Sequence, residues 1–103
     1  MALFTRKSAA RKSLESDLLS LVAACTQVAR SQMPPDYLQD WLESKGPEIV
    51  KLAQEVRDQD GDKELKSALK YGRNFADNTS RADYGGGRRG LELYQSAVST
   101  LIP

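Results

Sequence analysis

Apolar residues recur along this chain at steps of three and four, and no segment alternates at every second position. The first run is Leu14, Leu18, Leu21, Cys25 and Val28, widened by Val22 and Ala29, which is the stripe of a helix packed against neighbours. Ser13, followed by Glu15, Ser16 and Asp17, suits its cap, with a start there or slightly earlier. Met33-Pro34-Pro35 stops it.

Behind Asp36 as a cap, Tyr37, Leu38, Trp41 and Leu42 form the apolar face of a short second helix. Gly46-Pro47 predicts a corner, because glycine suits a helix end and proline the first position of the next helix. Ile49, Leu52, Ala53 and Val56 then mark a third helix up to Asp60-Gly61. Asp62 is placed to cap a fourth, with Leu65, Ala68, Leu69, Gly72, Phe75 and Ala76 inward and Asn78-Thr79-Ser80 at its end. Gly72 on that inner face predicts close approach of a neighbouring helix or of Trp41. A last helix carries Leu91, Tyr94, Val98 and Leu101.

The pattern predicts an all-α fold, a compact bundle or orthogonal array of about five short helices. Residues 1–12 read as a basic N-terminal arm or helix extension, and residues 13–103 as a single helical domain.

Composition narrows the chemistry. The 103 residues hold 15 Lys and Arg against 14 Asp and Glu, so the total charge selects no partner and only its distribution is informative. Residues 1–13 carry four bases and no acid, residues 14–60 nine acids against four bases, and residues 61–103 seven bases against five acids. Histidine is absent, which removes the usual general base near neutral pH and every Ser-His or Cys-His pair. The chain therefore reads as a non-enzyme, with no cofactor and no metal site inferred. Cys25 is the single cysteine; at an inward position it reads as a core residue, and its solitude suits a reducing, cytoplasmic setting. No apolar run approaches the ~20 residues of a membrane-spanning helix, and Leu3-Phe4 is too short for a secretory signal. The arm has the acid-free, Arg-, Lys- and Ser-bearing composition of a transit peptide, but reads first as a disordered arm or a fraying helix end.

Two charged stripes are the candidate sites. Lys63, Lys66, Lys70 and Arg73 step by three, four and three along the fourth helix, opposite its apolar face, and Arg81, Arg88 and Arg89 follow in the adjoining loop. Asp36, Asp40 and Glu43 make a complementary acidic stripe beside Tyr37 and Trp41. Gly85-Gly86-Gly87-Arg88-Arg89-Gly90 spells a dinucleotide fingerprint but lacks the preceding strand and the following strand and acid, so it reads as a hinge presenting two arginines. Tyr84 beside it reads as a cover for a helix end.

These features predict a protein–protein interaction module, adaptor or regulatory in character, with opposed acidic and basic faces. A protein partner or a second copy would be bound. Nucleic acid is the alternative, held by the arm, the Lys63-Lys66-Lys70-Arg73 stripe and Arg88 and Arg89.

Overall fold

The computed structural model describes residues 7–82 and 87–103. Arg6 of the arm, Leu3-Phe4, Tyr84, Gly85 and Gly86 lie outside the described residues. Four helices occupy them, α1 (Ala9–Ala29), α2 (Pro35–Asp60), α3 (Asp62–Ala82) and α4 (Arg89–Leu101), with no strand among the described residues.

The difference from five helices lies at Gly46-Pro47, where the chain does not turn. α2 runs through Pro47, which removes one intrahelical hydrogen bond at a cost of about 3 kcal/mol. Continuity is worth more, because Leu38, Ile49, Ala53 and Val56 then bury one face together. Gly46 serves packing instead of a cap. A Cβ there would meet Leu101 Cδ2 of α4 at 2.9 Å.

α1 begins earlier than Ser13. Ser8 is its cap, its hydroxyl accepting the Arg11 N–H at 3.1 Å and donating to Asp60 at 2.6 Å, so Arg11 and Lys12 are helical. The helix closes with paired bonds from the Ser31 and Gln32 amides to the Val28 and Gln27 carbonyls, which places Ser31 at φ 60. α2 starts on Pro35 with Asp36 inside its first turn, not as its cap. Between α2 and α3 stands Gly61 alone, at φ 95 and ψ 165, a backbone conformation that side chains exclude.

Contacts along the helices fix their directions. Ser8 meets Asp60 across α1 and α2; Arg11 meets Ser67 and Leu18 faces Gly72 across α1 and α3; Tyr94 meets Leu69 and Leu91 meets Ser80 across α3 and α4. Neighbours in sequence are therefore antiparallel, an up-down-up-down arrangement. α1 packs against all three other helices and carries the centre of the core, with Leu14, Leu18, Leu21 and Cys25 fully buried.

α3 presents a narrow inner stripe of Leu65, Ala68, Gly72, Ala76 and Ser80. Small residues let it approach α1 closely, which excludes Phe75, roughly 80° off the stripe. Phe75 is thus 46% exposed, contrary to its inward expectation. α3 also continues past Asn78-Thr79-Ser80 to Ala82. Thr79 bonds back to the Phe75 carbonyl at 2.8 Å, and Ser80 is buried against α4, so neither ends the helix. Trp41 is half-buried and packs against the core without approaching Gly72, whose neighbours are Tyr94 and Leu18.

Candidate interaction groove

On α3, Lys66, Lys70 and Arg73 occupy the edge beside the inner stripe that turns toward α4. α4 answers with Leu91, Tyr94 and Val98, which its own helical spacing puts on one side. Two hollows of about 660 and 640 Å³ adjoin between the helices as a groove, with Arg73 and Gln95 lining both. Its apolar floor is the half-buried Leu69 and Val98, while Leu91 and Tyr94 beneath, 5% and 2% exposed, are already covered by the fold. Five cations line it, Lys66, Lys70, Arg73, Arg81 and Arg88, with Asp77 as the acid among the described lining residues.

Asp77 is already engaged with Arg81 at 3.1 Å. Lys66, Lys70, Arg73 and Arg88 make no ion pair with any described residue. Asp62, placed by spacing to neutralise Lys66, pairs with Arg57 at 3.0 Å. The groove thus keeps its positive potential.

The floor is held in shape from beneath. Tyr94 donates its hydroxyl to the Leu69 carbonyl at 3.2 Å, and its ring end fills the space above Gly72, where a Cβ would stand 2.9 Å from Cζ. Burial raises the phenol's pKa, so the proton that makes this bond stays in place. Where α4 begins, the Ser80 hydroxyl accepts the Leu91 N–H at 3.1 Å, capping one helix from another.

The same cap shows how the described end of the glycine-rich segment, from Gly87 on, enters α4. Arg88, not Gly90, is the N-cap; Gly90 is buried in the first turn with Ser80 above it, and Glu92 stands in the same turn. One terminal amide is taken by Ser80 and the dipole already faces a carboxylate. Arg88 and Arg89 also separate. Arg88 joins Arg73 and Arg81 in the groove, whereas Arg89 borders a different hollow with Met33, Pro34 and Pro35. Lys63 is exposed in the first turn of α3, short of the groove.

The acidic stripe is where its spacing puts it. Asp36, Asp40 and Glu43 are exposed along the first half of α2, and Tyr37 is half-buried against the core.

No family model matches this chain, and neither a curated protein nor a solved structure shows significant similarity to it.

Burial pushes the Cys25 thiol up to about 12, leaving it protonated in the core. No group of three or more His, Cys, Asp or Glu side chains converges among the described residues, and no helix among them is long and apolar enough to cross a membrane.

Spacing did not reveal a buried charged cluster at the start of α1. Arg11 binds Glu15 at 3.3 Å, Glu64, and Ser67 at 3.0 Å, while Lys7 binds Glu15 at 2.9 Å and lies 5.0 Å from the centre of the Tyr71 ring. The Arg11–Glu15 step of four is the one signal of it in the sequence. Lys7 and Arg11 are consequently committed to the fold.

Proposed function

We propose that this protein is a non-enzymatic protein-interaction module that receives an acidic partner surface in the α3–α4 groove. The observation that carries the reading is the groove's composition, an apolar floor beside four cations that no described acid neutralises. Leu69 and Val98 supply apolar contact, and the cations supply orientation and encounter rate. Nucleic acid, held by the arm, the Lys63-Lys66-Lys70-Arg73 stripe and Arg88 and Arg89, is less well supported, because part of that set is paired or turned away. Arg11 is buried in its own ion pairs, Lys7 is paired with Glu15, and Arg89 faces a separate hollow. Self-association through the Asp36-Asp40-Glu43 stripe would add exposed ion pairs of about 0 to 1 kcal/mol each and leave the floor uncovered.

The test is capture from a nuclease-treated extract of the source organism with immobilised wild-type protein and with the Lys66→Glu/Lys70→Glu double variant, after circular dichroism shows both folded. The wild type retains a defined acidic polypeptide that the variant loses, and about 0.5 M salt releases it. Equal retention by both proteins, or retention that nuclease abolishes, sinks the reading.

A further inference from the structure

We infer that the segment bound in the groove is an amphipathic α-helix of about four turns, acidic along one edge only. The inference rests on the proposed function and specifies its partner.

Length comes from the groove itself. From Lys66 to Arg81, α3 advances about 22 Å, which four turns of helix span. Secondary structure follows from the walls. Both are helices whose backbone groups bond within themselves, so neither offers N–H or C=O partners to an extended peptide. An extended chain laid on Leu69 and Val98 would bury unpaired amides. A helix satisfies its own and presents side chains at three- and four-residue steps to the floor.

The charge is asymmetric across the groove. The α3 wall holds Lys66, Lys70, Arg73 and Arg81, whereas the α4 side has one cation, Arg88 at its N-terminal end, followed by the uncharged Gln95 and Ser99. Carboxylates along the partner's α3-facing edge gain complementary partners, and those on the other edge meet a cation only at the Arg88 end. Steps of four and three between Lys66, Lys70 and Arg73 call for the same steps along that edge.

This chain's own α2 repeats those steps in Asp36, Asp40 and Glu43, which makes a second copy the first occupant to weigh. It lacks the other half of the requirement. The exposed large apolar residue of α2 is Val50, two turns beyond Glu43, so the acidic face carries no apolar stripe to lay on the floor. The partner is therefore a different polypeptide.

The experiment uses the full-length protein and labelled synthetic helices of four turns, read by fluorescence anisotropy. One peptide carries leucines at three- and four-residue steps and glutamates along one edge; a second scrambles the leucines at constant composition; a third has a central proline; a charge-matched RNA duplex completes the set. The first peptide binds in the micromolar range. Scrambling, proline or the Lys66→Glu/Lys70→Glu double variant each weakens it about tenfold or more, while Lys63→Glu, outside the groove, changes it less than about twofold. Equal binding of the scrambled or proline peptide overturns the helix and leaves an acidic docking surface standing. Tighter binding of the duplex overturns both readings in favour of nucleic acid. If no peptide binds while charge-dependent capture of the acidic polypeptide persists, the helix inference alone falls.

Discussion

Asp17 lies between α1 and α2, where its Oδ2 is buried without a hydrogen-bond partner and Glu48 is its nearest carboxyl. Desolvation, followed by the Glu48 carboxyl, raises its pKa above the usual 3.8, with Lys45 opposing. A carboxyl whose native pKa exceeds its unfolded one binds its proton more tightly in the fold. Its ionisation therefore lowers stability as pH rises through the raised value, and acid restores that contribution. Asp17→Asn should increase Tm at neutral pH and leave it little changed near pH 3. Thermal melts of both proteins across that interval check it, and an equal or lower Tm at neutral pH contradicts the assignment. Nothing in the spacing of Asp17 distinguishes it from the other acids of the chain, because the neighbour that makes it unusual is thirty-one positions away.

At the level of elements, periodic apolar stripes were enough to locate α1, α3 and α4 and most of their inner residues. The sequence misled at Gly46-Pro47, since the local chemistry of a corner and of a close-packed helix interior is the same pair of residues. Only the position of Leu101, far along the chain, distinguishes them. Gly72 was legible as a contact but its partner was not, again because that partner belongs to another helix. Tyr94 makes Gly72 specific. Gly72→Ala should cost about 1 to 3 kcal/mol despite better helix propensity, by driving the tyrosine off its bond to the Leu69 carbonyl. Urea denaturation measures the loss, and adding Tyr94→Phe should recover part of it, because the hydroxyl is what the new methyl meets first. Additive losses in the double variant would show that the strain lies elsewhere.

For the molecule as a whole, the distribution of charge proved legible as two stripes but not as a site. The α3 stripe became part of a groove only because α4 folds back beside it, and the same fold separates Arg88 from Arg89 although they are adjacent in sequence. In the N-terminal segment, read as an arm or a helix extension, bases without local acids look solvated, yet Arg11 is 9% exposed and tied to both α1 and α3. Removing one member of such a cluster leaves a buried charge without its partner. Arg11→Ala should destabilise by about 3 kcal/mol, and Arg11→Met, replacing the contact by apolar packing, by less only if Glu15 keeps Lys7. Chemical denaturation of the two variants at low and high salt tests this; a loss under about 0.5 kcal/mol for Arg11→Ala would mark the cluster as surface decoration.

The central placement of α1 has a consequence during synthesis. It is made before each of the three helices that cover it, and sixty residues separate Ala29 from Arg89. At about 5 to 20 residues per second, the ribosome delivers the start of α4 some 3 to 12 s after the end of α1. Throughout that interval Leu14, Leu18, Leu21 and Cys25 remain without part of their final cover, so the nascent chain is most prone to capture by chaperones, or to aggregation, before its last helix arrives.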